Sequence, residues 1–194
     1  MSDKFLRIGA IEEQSSIYGP GIRFVIWVQG CTLACKGCWN KNFWPKEGGN
    51  NRSIESLVTQ ISTTESIEGI TILGGEPLEQ PEAVLDLINS VQRLNLSIFL
   101  YSGFETHELN STQKKCIEAS DIVVLGRYDE QKRNINLRWR GSSNQVLQFP
   151  TKRYRDMQFE ERGECEVIID DDGSVRILGY PDQDLISLII SINL

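Results

Sequence analysis

Three observations predict an α/β protein with a mostly parallel sheet. Continuously apolar runs alternate with segments of helical period along most of the chain. The residues just after those runs are glycines, cysteines and polar groups. The length of 194 residues, with 40% hydrophobic and 24% charged side chains, supports one real core and a small appendage. Apolar strand, amphipathic helix and apolar strand in succession imply right-handed crossovers between parallel neighbours. A closed or partial (β/α) barrel and a doubly wound sheet both satisfy that pattern.

Taken in order, "LRIGAI" (6–11) and "IRFVIWVQ" (22–29) are predicted strands, the second too continuously apolar to have a wet face. "SIESLVTQIS" (53–62) starts with a Ser N-cap candidate and continues at amphipathic spacing, so a helix is predicted. "GITILGG" (69–75) is a short buried strand running into glycines. "PEAVLDLINSVQRL" (81–94) opens on Pro at a first-turn position and repeats apolar residues with helical period. "LSIFLYSG" (96–103) is a strand, 105–119 a helix, and "DIVVLG" (121–126) a further strand. Residues 127–145 form a polar, basic loop, of a length more often functional than idle in a compact domain. "ECEVIID" and "SVRILGY", around Asp171, Asp172 and Gly173, predict a hairpin, and "DQDLISLIISINL" a terminal helix.

Composition narrows the function. The start, "MSDKFLRIGAIEE", has no apolar leader, and no run approaches the length of a membrane span, so a cytoplasmic protein without a membrane partner is expected. A net charge of −7 works against nucleic-acid binding through phosphate neutralisation. Five cysteines without a leader are expected as reduced thiols, and the odd number argues against a complete disulfide framework.

Three of them, Cys31, Cys35 and Cys38, crowd the loop after the second strand at C-x3-C-x2-C spacing. In a parallel α/β sheet, chemistry collects at the carboxyl ends of strands. Gly74–Pro77, Tyr101–Gly103 and Gly126–Arg127 fall at the ends of the next three strands, on the same rim. Three thiolates on a tight loop suit a soft metal or an iron–sulfur cluster. A zinc site would take a fourth ligand from His107, Cys116 or Cys165; otherwise the thiols are simply buried. A four-iron cluster held by three cysteines keeps one iron open for chemistry.

The motif C-x3-C-x2-C at the end of an early strand, followed by "GGEP" at 74–77, resembles the radical S-adenosylmethionine (SAM) superfamily. "GPGIRFVIWVQGC…C..CWN" resembles its glycyl-radical-enzyme activases more closely. Gly37 before Cys38 and the later "LRWRGSSNQ" are most similar to the activating proteins of anaerobic ribonucleotide reductase. The similarity spans about residues 5 to 148. It implies a partial (β/α) barrel of radical SAM type, residues 1–148, with residues 149–194 as a C-terminal extension of hairpin plus helix. It also implies a 4Fe-4S cluster on Cys31, Cys35 and Cys38, whose unique iron chelates SAM. A low-potential electron donor such as flavodoxin or ferredoxin would drive cleavage to a 5′-deoxyadenosyl radical, which takes hydrogen from a protein or peptide substrate.

By the same resemblance Gly74, Gly75, Glu76 and Pro77 meet the SAM amino group, and Ser102 occupies the place of a small hydroxyl residue near SAM. Arg138 and Asn144 of "RWRGSSNQ" are expected to hold cofactor or substrate. Arg23 is placed either near the active face or in a structural salt bridge. Tyr18 departs from the family, which usually has Asp before GPG. Trp39 is expected to shield the cluster, and Cys116 and Cys165 to be inert. The implied function is a radical SAM oxidoreductase of activating type. Alternatives are a maturase of a ribosomally made peptide, splicease-like and working with a small partner protein, and a non-catalytic iron–sulfur or zinc protein.

Overall fold

A computed structural model describes residues 4–179 and 181–192. The elements are β1 (Phe5–Ser15), β2 (Arg23–Val28), β3 (Asn50–Ser53), α1 (Ile54–Thr63), β4 (Gly69–Gly74) and α2 (Pro81–Gln92). They continue with β5 (Ser97–Ser102), α3 (Ser111–Glu118), β6 (Ile122–Leu125), β7 (Val146–Gln148), β8 (Cys165–Ile169), β9 (Val175–Gly179) and α4 (Gln183–Ile192). The predicted ends of the last strand and helix, Tyr180 and Asn193–Leu194, lie outside the described residues.

Seven strands form one sheet in the order β3-β1-β2-β4-β5-β6-β7. The contacts β2–β4, β4–β5 and β5–β6 are parallel, as expected. β1 runs antiparallel to β2, and antiparallel β3 and β7 close the two edges. Neither edge strand has a sequence signal of its own: β3, Asn-Asn-Arg-Ser, is wholly polar, and β7, Val-Leu-Gln, is only three residues long.

Alternation along the parallel strands decides between barrel and doubly wound sheet. Phe24, Ile26 and Val28, Ile70 and Ile72, Ile98 and Leu100, and Val123 and Leu125 share one core with the apolar sides of α1, α2 and α3. The helices therefore cover a single face, as on the outside of a barrel wall. The intervening residues pack on the other face: Val25, Trp27 and Leu73 in one cluster, Phe99, Ile122 and Val124 in another. None of α1, α2 and α3 packs on that side. Trp139 from the long loop and Tyr154 from the extension fill it instead.

Local signals account for the helices. The Ser53 side chain accepts the Ser56 N–H at 3.1 Å as the α1 cap, and Pro81 opens α2. The helix expected over 105–119 is interrupted. A 3-10 turn at Thr106–Glu108 precedes α3, whose Asn110 cap accepts the Gln113 N–H at 2.9 Å. The hairpin forms as expected: β8 pairs with β9, and Gly173 takes the positive φ its turn demands.

Arg23 occupies neither predicted place. It sits at the amino end of β2, on the rim opposite the cysteines. There it is fully buried and, among the described residues, forms no ion pair with a carboxylate. Its guanidinium donates to Thr71 Oγ1 at 3.2 Å, to the hydroxyl and carbonyl of Ser97, and to the Ile70 carbonyl. Burial lowers its pKa to about 10.

Candidate active site

The parallel strands deliver their carboxyl ends to one cavity of about 1090 Å3, counting its open mouth. Cys31, Cys35 and Cys38 line it together with Gly74, Gly75 and Glu76, and with Ser102 and Gly103. His107, Cys116 and Cys165 are not among its walls. His107 is exposed on the 3-10 turn, and Cys116 is buried under α2, where its thiol donates to the Pro81 carbonyl at 3.4 Å. Burial pushes the Cys116 pKa up to about 12, in keeping with an inert thiol.

The cysteine loop is held by the GGEP loop beneath it. Gly30 N–H donates to Phe43 O at 2.8 Å and Cys31 N–H to Trp44 O at 3.0 Å. Gly75 N–H reaches Val28 O and Glu76 N–H reaches Gly30 O, each at 2.8 Å. The two glycines are required by this crossing. A Cβ on Gly75 would stand 2.3 Å from the Gly30 carbonyl oxygen, and one on Gly74 would stand 2.6 Å from Trp27 Cα with φ at +109°. The close approach that demands glycine is thus to the end of β2 for Gly74 and to the start of the cysteine loop for Gly75.

Glu76, only 1% exposed, is the centre of the rim. Its Oε1 accepts from Leu78 N–H at 2.9 Å and from Ser102 Oγ at 2.8 Å, and its Oε2 accepts from Gly103 N–H at 2.7 Å. Burial raises its pKa to about 7, against the pull of those donors. Ser102 passes the connection on by accepting Phe104 N–H at 3.1 Å. Pro77 does not line the cavity; it is buried at the start of the Pro77–Glu79 3-10 turn.

Sequence reasoning missed two supports. Glu79 accepts from both the N–H and the hydroxyl of Thr32, pinning the loop between the first two cysteines. Tyr128, on the cavity wall, presents its backbone N–H to the Cys35 sulfur. Burial raises the Cys31 and Cys35 pKa values, while nearby N–H groups work the other way by favouring the thiolates. Neither support has a local sequence signature.

The donor chemistry fits an iron–sulfur cube better than a single ion. Among the described residues, no three His, Cys, Asp or Glu side chains form a ready cage for one metal ion. A cube takes its thiolates at separate corners, and all three cysteines line this cavity. Trp39 lies on the same wall with 48% of its surface exposed, so it borders the mouth and only partly shields it.

"RWRGSSNQ" divides. Trp139 and Gln145 line the cavity; Arg138 and Asn144 do not. Asn144 donates to the Arg127 carbonyl at 2.8 Å. The Arg138 N–H donates to Glu161 at 2.7 Å, and its guanidinium lies 3.8 Å from Glu164. Arg140 pairs with Glu161 as well. Tyr18 also has a structural role. Its hydroxyl accepts the Gly179 N–H at 2.9 Å, and its ring packs edge-on to Trp27 at 5.3 Å.

Residues 17–148 match the family described as 4Fe-4S single cluster domain. The anaerobic ribonucleoside-triphosphate reductase-activating protein of Escherichia coli K12 is 32% identical over 140 residues, covering 68% of this chain and 90% of that one. Its counterpart from Enterobacteria phage T4 is 30% identical over 138 residues, covering 68% and 86%. Among solved structures, QueE from Escherichia coli aligns with a TM-score of 0.43 at 16% identity, over 60% of this chain and 69% of that one.

Proposed function

The chain belongs to the 4Fe-4S single cluster domain family, among the radical SAM activating proteins, and from that premise we propose that it installs a glycyl radical on an anaerobic ribonucleotide reductase. One observation carries the reading. Three cysteines share a cavity with the Gly74–Glu76 loop, and none of the other candidate ligands His107, Cys116 and Cys165 lines it. A 4Fe-4S cluster on these thiolates supplies one-electron chemistry to SAM, ending in removal of a hydrogen atom from the substrate.

The chain's own residues have separable tasks. Cys31, Cys35 and Cys38 hold the cluster. Gly74 and Gly75 let the SAM-binding loop cross directly under the cysteine loop. Glu76 fixes Ser102 and Gly103 against that loop, so the polar rim is in place before cofactor arrives. Trp39, Tyr128 and Leu33 add apolar wall, which limits water around the reacting groups.

A low-potential protein such as flavodoxin or ferredoxin suits the electron supply. A reducing cytoplasm suits the free thiols, and none of the described helices is long and apolar enough to cross a membrane. Residues 149–194 are read as an extension that meets the substrate. They also suit the second reading, maturation of a small precursor peptide with a small partner protein.

Anaerobic reconstitution should load about four irons per chain, and dithionite with SAM should then release 5′-deoxyadenosine. A glycyl radical signal on the reductase subunit supports the main reading. A mass loss in a precursor peptide supports the second. Tight zinc with no nucleoside release sinks both.

A further inference from the structure

Part of the cavity wall has no role in holding the cluster or the SAM loop. It is built by Trp139 from the long loop and by Arg162, Gly163 and Glu164 from the extension. Among the described residues, four buried side-chain polar atoms lack any hydrogen-bond partner, and all of them fall at this seam. They are Arg138 Nε, Trp139 Nε1, Arg140 Nε and Glu164 Oε2. Buried polar groups are nearly always partnered, because leaving one unpaired forfeits its hydration. Such a cluster on a cavity wall points to a ligand.

Two of the four belong to residues that line the cavity. Trp139 is only 7% exposed, and its indole N–H is a pure donor. Glu164 spends Oε1 on Arg162 at 2.7 Å, while Oε2 stays 3.8 Å from the Arg138 guanidinium, beyond hydrogen-bond range. That same guanidinium lies 4.7 Å from the indole centroid. Beside this one arginine stand a donor, Trp139 Nε1–H, and an acceptor, Glu164 Oε2, neither of which has a hydrogen bond.

We infer that this seam holds the main chain of the substrate polypeptide, with Trp139 Nε1–H donating to a peptide carbonyl and Glu164 Oε2 accepting a peptide N–H. A peptide backbone offers both groups in regular succession. The inference rests on the reading above that the substrate is a polypeptide.

The test uses anaerobically reconstituted, SAM-loaded enzyme and a fluorescent synthetic peptide spanning the reductase's glycine loop. Single backbone amides of the peptide are replaced by esters, which removes one N–H at a time. At one position the ester should weaken binding to the wild type by about fivefold, the worth of one net hydrogen bond. Against Glu164→Ala the same ester should bind as well as the amide. Trp139→Phe, which keeps the ring but loses the donor, should weaken the peptide more than it weakens SAM measured by equilibrium dialysis. A flat ester series on the wild type overturns the inference whether or not the variants fold. So does a Trp139→Phe effect confined to SAM. Release of 5′-deoxyadenosine by the same preparation separates the two readings. Release with a flat ester series overturns only this inference, and no release overturns the proposed function beneath it.

Discussion

Two buried charges sit at opposite ends of the same four parallel strands. Glu76 closes the carboxyl rim and Arg23 plugs the amino rim, and neither has an opposite charge within ion-pair distance among the described residues. Arg23 is surrounded by fixed acceptors, chiefly the Ile70 and Ser97 carbonyls and the Thr71 and Ser97 hydroxyls of β4 and β5, with the Pro20 carbonyl at 3.5 Å. Glu76 is surrounded by donors from the turn after β4 and from the end of β5: the Leu78 N–H, the Ser102 hydroxyl and the Gly103 N–H. One charge ties neighbouring strands together; the other ties the loop after β4 to the end of β5. Both are buried and hydrogen-bonded, so burial alone does not distinguish a structural charge from one that serves a site. What distinguishes them is which elements their partners belong to.

The largest effect should follow from removing the loop charge. Glu76→Ala leaves three buried donors without an acceptor and frees the loop under the cysteines. Supports of this kind cost about 10–100-fold in activity when lost. We expect 5′-deoxyadenosine release to fall by that factor, with a raised SAM KM and an altered EPR signal for the SAM-bound cluster. If release and the EPR signal both stay as in the wild type, Glu76 is only filler. Arg23→Met should act on the other side of the comparison. It removes the donor and leaves buried acceptors unsatisfied at the base of the barrel, which should cost about 3 kcal/mol of stability, read as a lower urea midpoint. Activity per folded molecule should be kept. A selective loss of turnover would reverse the assignment of the two rims.

The same pair predicts a pH slope. In the folded protein Glu76 holds its proton up to about 7, whereas in the unfolded chain it releases it near 4.5. Between those values the native state binds the extra proton, so stability declines as pH rises and levels off above about 7. The full span is worth on the order of 3 kcal/mol. Carboxylates held low by partners, such as Glu108 beside Arg127 at about 2, lose their contribution only in acid, below this window. Chemical denaturation at pH 5, 6 and 7 should show the decline in the wild type and a flattened profile in Glu76→Gln. A wild-type profile that is level or rising means that the carboxyl ionises in place at no cost.

The parallel strands were legible because burial on both faces leaves an unbroken apolar run, as in "IRFVIWVQ" and "DIVVLG". The cluster loop was legible because cysteine spacing is local. β3, with the sequence Asn-Asn-Arg-Ser, was not legible: its strand character comes from pairing with β1 rather than from its own residues. The Glu79–Thr32 support joins residues 47 apart, and the Arg140–Glu161 pair joins residues 21 apart, so neither leaves a periodic trace. Arg138 looked like a ligand-binding arginine for the same reason. Its neighbours in sequence suggested a site, and its partners in space lie in the extension.

Tyr18 gives the finest version of the comparison, because it joins the barrel to the extension. Its hydroxyl accepts the Gly179 N–H of β9. Tyr18→Phe keeps the edge-on packing against Trp27 and removes the hydroxyl that accepts the Gly179 N–H. The loss should be about 1 kcal/mol, confined to the hairpin. Hydrogen exchange at Gly179 should accelerate by about fivefold, the factor that energy sets, while amides of β4 and β5 stay protected. The change is limited because Glu166 still accepts from the Ser15 hydroxyl and from the N–H and hydroxyl of Ser16, and Arg176 still pairs with Glu12 at 2.7 Å. Glu166→Ala, which removes three of those bonds at once, should therefore loosen β8 and β9 further than Tyr18→Phe does. If instead Tyr18→Phe alone exposed the whole hairpin, the phenol would be the hinge of the extension rather than one of several ties.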